Sequence, residues 1–143
     1  RLMSLRHPEN KMSKSSDDIN GTIYFNDEKD NILKKFKSSV TDSENIVKYD
    51  PKNKPGISNL IEIYAAVNDK EISETEKEFE NSQYGEFKIA VAETVIDYLD
   101  PIKKNFDDLT SDNLEDIVVS NLKSAKDSAQ KTIIEVEEAL GIS

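Results

Sequence analysis

The sequence predicts an all-α protein, a helical bundle preceded by an irregular segment with one short strand. Three observations carry this. From Asn26 onward apolar residues recur at spacings of three and four, the period of one helix face. The β-prone stretch Thr22–Phe25 is only four residues long. Residues 1–21 show neither period and close in the Ser, Asp, Asn and Gly cluster Ser15–Gly21, which is loop chemistry. The chain therefore divides into a loop segment, 1–25, and a helical domain, 26–143.

Thr22–Phe25 is β-prone but short, a strand or an extended entry. After it, Asn26 or Asp27 can cap a helix with acids in its first turn, Ile32, Leu33, Phe36 and Val40 along one face, and Lys34, Lys35 and Lys37 near its end. Thr41–Gly56, with two Pro, a Gly and several Asp, Asn and Ser, reads as a long ordered loop, which in a compact domain tends to be functional. Ile57, Leu60, Ile61, Tyr64 and Val67 make an amphipathic helix ending near Asn68, and Ser73 with Glu76 forms a capping box for a short helix to about Glu80. Phe87, Val91, Val95, Tyr98, Ile102, Phe106 and Leu109 trace one face of a long helix, with a kink expected at Pro101. Asp112 and Glu115 start a last helix, whose Leu114, Ile117, Val118, Leu122, Ala125, Ala129, Ile133, Val136 and Leu140 run to Gly141 at the C-terminal cap. At this spacing both long stripes are expected to be core.

A chain of 143 residues can bury one ordinary core. It starts at Arg1 without Met, which suggests a piece of something longer. No apolar run approaches the ~20 residues that cross a bilayer, and an export signal is not recognisable at the start, so a cytoplasmic protein is expected. Absence of Cys and a single His7 exclude thiol nucleophiles, Cys/His zinc clusters and iron–sulfur ligation. Net charge is −10, but unevenly: residues 1–40 carry eight Lys/Arg against six Asp/Glu, and residues 41–143 eleven against 23. Such a field repels phosphate backbones, so any contact with RNA must be made through local basic patches.

The segment Lys11-Met12-Ser13-Lys14-Ser15 puts two ammonium groups and three hydroxyl-bearing neighbours, counting Ser16, on one short stretch. Such donors suit a polyphosphate that changes shape during reaction. Alone, the pentapeptide also reads as a solvated basic turn. Its spelling, KMSKS, resembles the second signature of class I aminoacyl-tRNA synthetases. The flanks extend the resemblance: RLMSL at 1–5, VTDS at 40–43, YDP at 49–51, NKPGISNL at 53–60 and YGEFK at 84–88 stand in an order similar to that of bacterial tryptophanyl-tRNA synthetases. The tyrosine-specific branch shares the loop and a following helical segment, but NKPGISNL and YGEFK look like the tryptophan branch.

The resemblance implies the C-terminal part of an enzyme that activates tryptophan with ATP and transfers it to tRNA(Trp). The nucleotide-binding half, with its H-I-G-H-like signature and amino-acid pocket, is not in this sequence. By resemblance, Lys11 and Lys14 contact the ATP triphosphate as the catalytic pair, Met12, Ser13 and Ser15 complete the nucleotide loop, and Leu2 borders the adenosine. ATP is a substrate that carries Mg2+ with it; no resident metal is implied. The helical domain would bind the anticodon region of tRNA, with Lys48, Lys52, Lys54, Lys103, Lys104, Lys123, Lys126 and Lys131 as candidate phosphate contacts. The parent is expected to be a homodimer, and the fragment alone inactive. A stand-alone helical RNA-binding or interaction module, and a tyrosyl-tRNA synthetase fragment, are the alternatives.

Other constellations carry less. His7 beside Pro8 has no nucleophile nearby and reads as solvent-facing. The pairs Asp17/Asp18, Asp107/Asp108 and Glu137/Glu138 read as solvated charge, since adjacent helical residues point apart. The run from Asp107 has Asp112 where a calcium loop needs Gly and Val118 where it needs Glu, and a G-x-x-x-x-G-K-[ST] loop does not occur.

Overall fold

The structure, a computed structural model, describes residues 2–15, 17–109 and 111–142, and only the backbone of 111–113. Among the described residues five α-helices follow a 3-10 turn at Ile19–Gly21: α1 Lys29–Lys37, α2 Pro55–Asn68, α3 Ile72–Glu78, α4 Tyr84–Asp107 and α5 Ser111–Leu140. The chain forms two compact units, residues 1–103 and 104–143, and α4 crosses the division. All-α architecture is as expected. The short strand is not: Thr22 is extended, at φ −124° and ψ 135°, but Thr22–Phe25 pairs with no strand, and the one isolated bridge among the described residues joins Met3 to Lys11.

In the first unit, α2 is the central element. It buries Ile57, Leu60, Ile61, Ile63 and Tyr64 on several faces, the pattern of a helix surrounded by protein. Ile32 and Phe36 of α1, Phe87, Val91 and Val95 of α4, and Leu5 and Val47 from the irregular segments complete the core. Tyr64, Phe79 and Phe87 form an aromatic cluster, with Tyr64 and Phe79 edge to face at 5.0 Å and Phe79 and Phe87 at 4.7 Å. Phe87, the fully buried member, contributes about 1.5–3 kcal/mol by its burial.

Pro55 opens α2 at a position where its missing N–H costs nothing. Gly56 follows because the chain passes very close: a Cβ there would sit 2.1 Å from the Val40 carbonyl oxygen. Asp69, in the left-handed region at φ 53°, turns the chain out of α2, with the Lys70 N–H bonded to the Ala65 carbonyl at 2.9 Å. At the end of α5 the expected Gly141 cap is present. Its φ is +67°, the Gly141 N–H donates to Glu138 and the Ile142 N–H to Glu137, the paired bonds of a Schellman motif.

Several local expectations move. α1 is capped at Glu28 without a side-chain bond and ends at Lys37, so Val40 lies beyond it, 44% exposed. The capping box on α3 is Glu71/Glu74, two residues before Ser73/Glu76, because the Glu76 carboxylate is taken by the Tyr49 N–H at 2.7 Å. α4 runs through Pro101 and stops before Leu109. Its stripe is core only as far as Val95: Tyr98, Ile102 and Phe106 are exposed, and α5 contributes no buried residue among those described, with Leu122 68% exposed. Periodicity identifies the apolar face of a helix but not whether anything covers it. The expected cap at Asp112 falls on a side chain outside the described set.

Candidate functional site

Residues 2–12 form a small antiparallel ribbon whose return arm leads into the KMSKS segment. The Ser4 N–H bonds to the Asn10 carbonyl at 2.8 Å and the Met12 N–H to the Leu2 carbonyl at 3.1 Å, and these flank the Met3/Lys11 bridge. Ser4 Oγ accepts the Arg6 and His7 N–H groups and so shapes the turn. Because main-chain groups of a strand point alternately to its two sides, the Met3 N–H and carbonyl point away from Lys11. There the buried Asn59 side chain of α2 takes the place of a neighbouring strand, accepting from the Met3 N–H at 2.9 Å and donating to the Met3 carbonyl at 2.8 Å. Leu5 is tied on the same side, donating to Gly21 and accepting from Val40. A Cβ on Gly21 would meet Ser4 Oγ at 2.4 Å, so a larger residue at this crossing would displace the hydroxyl that shapes the turn.

The predicted nucleotide residues sit on this frame. Leu2, Lys11 and Met12 share the ribbon, Leu2 being 47% exposed and Met12 packed partly against the core. Ser13 and Ser15 hydroxyls are 3.1 Å apart, and Ser13 Oγ also accepts the Ser15 N–H at 3.4 Å. The Ser13 carbonyl accepts from Thr22 Oγ1 at 3.1 Å and the Lys14 carbonyl from the Tyr24 hydroxyl at 3.5 Å. Lys11 and Lys14 are exposed. Neither ammonium has a hydrogen bond or ion pair among the described residues. The result is a loop held by its main chain and offering its charges outward, which suits a mobile anionic ligand.

Lys54 is the opposite case. Its side chain is 9% exposed and lies between Asp42 at 3.1 Å, Glu44 at 2.7 Å and the Tyr84 hydroxyl at 3.3 Å. Burial opposes its charge, but the hydrogen bonds to Glu44, Tyr84 and Asp42 outweigh it and push the ammonium upward in pKa. Burial likewise acts against the Asp42 carboxylate, yet donation from the Glu44 N–H, Tyr84 and Lys54 holds it below its usual 3.8. Tyr84 is raised by burial and by Asp42. This network pins the 39–54 loop to the start of α4, and it removes Lys54 from the candidate phosphate contacts. Lys103 is held by Glu28 at 2.6 Å, whereas Lys48, Lys52, Lys104, Lys123, Lys126 and Lys131 are exposed, Lys131 lying 3.9 Å from Glu135. His7 is on the surface, 3.5 Å from Glu9 and 3.7 Å from Asp18.

Residues that sequence reasoning passed over include Asn59, Thr22, Tyr24, Asp27 and Lys35. Two of them left a signal: Lys35 sits on the Ile32/Phe36 face of α1 and Asn59 among the apolar residues of α2, and a polar group on a buried face must have a partner. No group of three or more His, Cys, Asp or Glu among the described residues could hold a metal ion. No described helix is long and apolar enough to cross a membrane.

Comparison with known proteins places these features in a family. The chain is 46% identical over 143 residues to the tryptophan–tRNA ligase of Oceanobacillus iheyensis, covering 99% of this chain and 44% of that protein. Against the tryptophan–tRNA ligase of Bacillus subtilis it is 42% identical over 143 residues, covering 99% and 43%. Its fold is similar to the crystal structure of tryptophanyl-tRNA synthetase from Mycoplasma pneumoniae, with TM-score 0.85 and 26% identity over 100% of this chain and 44% of that one. The chain thus spans less than half the length of these relatives. The sequence pattern of the tRNA synthetases class I (W and Y) matches residues 1–100, and the chain belongs to that family.

Proposed function

We propose that this chain is the C-terminal part of a tryptophan–tRNA ligase, supplying the ATP-pyrophosphate loop and a helical tRNA-binding region. In the first reaction the tryptophan carboxylate attacks the α-phosphorus of ATP, forming tryptophanyl-adenylate and expelling pyrophosphate. In the second, the aminoacyl group passes to the 3′ end of tRNA(Trp), releasing AMP. Charge accumulates on the departing pyrophosphate, and Lys11 and Lys14 would neutralise it. Ser13 and Ser15 would hold the loop's shape, Met12 its seat on the core, and Leu2 would border the adenosine. Mg2+ would arrive with ATP and would add to the charge neutralisation by Lys11 and Lys14; among the described residues no group of three or more His, Cys, Asp or Glu is gathered to hold a metal of the protein's own.

The observation that carries the reading is the exposed pair Lys11 and Lys14 on a main-chain-anchored loop, in a chain 46% identical to a tryptophan–tRNA ligase along its length. Residues 1–25 are assigned to the end of the catalytic domain and 26–143 to the tRNA-binding region. The complete protein is taken to act in the cytoplasm as a homodimer with its main contacts in the other half. Exchange of labelled pyrophosphate into ATP by the full-length protein tests the assignment. Tryptophan should support exchange and tyrosine should not, and residues 1–143 alone should give none. Exchange driven by tyrosine, or absent with both, contradicts it.

A further inference from the structure

Four side chains without a role in that reaction surround the C-terminal end of the signature loop. Lys35 lies on the buried face of α1, its side chain 4% exposed. Its ammonium donates to Asp27 Oδ2 at 2.6 Å and to the Thr22 carbonyl at 2.9 Å, and sits 5.0 Å from the centre of the Tyr24 ring. Asp27 Oδ2 in turn accepts the Tyr24 N–H at 2.9 Å. One buried charge thereby fixes both Thr22 and Tyr24. Their hydroxyls reach back nine and ten residues to the carbonyls of Ser13 and Lys14.

We propose that Thr22, Tyr24, Asp27 and Lys35 form a positioning device that presets the main chain at Ser13 and Lys14, so that the Lys14 ammonium is aimed before pyrophosphate departs. The inference rests on the reading of the loop as an ATP site. Its physical ground is that a donor helps a developing anion only if it need not reorganise, and that misplacement of a charge on a short loop is felt as rate. A buried ion pair is a poor source of net stability but a specific way to define one backbone conformation. The Lys35 and Asp27 side chains are only 4% and 11% exposed, too little to serve a ligand directly, and the groups they hold are those that hold the loop.

Because removing Lys35 strands the Asp27 carboxylate and threatens folding, the test uses Thr22→Val with Tyr24→Phe, which remove two hydroxyls and keep both shapes. In the full-length protein this double variant should keep the parent's unfolding midpoint. Trypsin cleavage after Lys14 in the native state should quicken about fivefold or more, since the local opening is less costly. The kcat of tryptophan-dependent pyrophosphate exchange should fall about tenfold with KM for tryptophan unchanged. Thr22→Ser with native Tyr24, which retains the donor, should restore both. Native-like cleavage, or a kcat within about twofold of the parent's, overturns the proposal. If the unsubstituted protein shows no exchange, the ATP reading fails, and unchanged cleavage would then overturn the anchor as well.

Discussion

Lys14 and Lys54 stand on polar, irregular stretches of the same unit, yet packing has given them opposite situations. Around Lys14 the bonds go to the carbonyl, and the ammonium is left in solvent. Around Lys54 they go to the ammonium, which is enclosed by Asp42, Glu44 and Tyr84. The first arrangement stores little stability in the charge and leaves it available; the second commits the charge to the fold. A lysine is therefore a candidate ligand contact only after its hydrogen-bond partners are known.

The largest effect that separates the two should come from Lys54→Met. It leaves the partly buried Asp42 carboxylate without its cation and is expected to cost about 3 kcal/mol, read as the shift in urea unfolding. Gly56→Ala should follow at about 1–3 kcal/mol, because the new methyl meets the Val40 carbonyl and backbone has to yield. If Gly56→Ala were neutral, the close approach of the 39–54 loop to α2 would be wrong. Asp42→Asn gives a pH-dependent difference. Asp42 is held below its usual 3.8 in the folded state, so its contribution is complete above that value and lost as pH falls through the folded pKa. The stability gap between parent and variant should be present at pH 7 and narrow below about pH 4. The smallest stability effect belongs to Lys14→Ala, whose unfolding midpoint should match the parent's within error, as for a surface ammonium with no partner among the described residues.

The helices were legible from sequence wherever apolar residues marked a face, and the Gly141 cap was legible because αL termination favours glycine. The misplaced box on α3 shows the limit: Ser73 is the better cap by type, but Glu76 is drawn to Tyr49 from 27 residues away. Thr22–Phe25 has strand composition but pairs with no strand among the described residues, and the Thr22 carbonyl is used by Lys35 instead. The apolar run of α4 beyond Val95, and that of α5, could not be told from core by spacing alone. Of the site, the KMSKS spelling and its flanks were visible locally. The Asn59 amide that reads Met3 and the Lys35 ammonium that fixes Thr22 depend on contacts across 56 and 13 residues, for which a single sequence gives only the hint of a polar residue on a buried face.

The account depends most on Lys14 acting in chemistry and not in folding. The decisive measurement is the rate of tryptophan-dependent pyrophosphate exchange by the full-length protein carrying Lys14→Ala, at a temperature where it is fully folded. A loss of about 100- to 1000-fold is predicted, the size expected for one preorganised donor to a developing anion. A rate within about twofold of the parent's would contradict it.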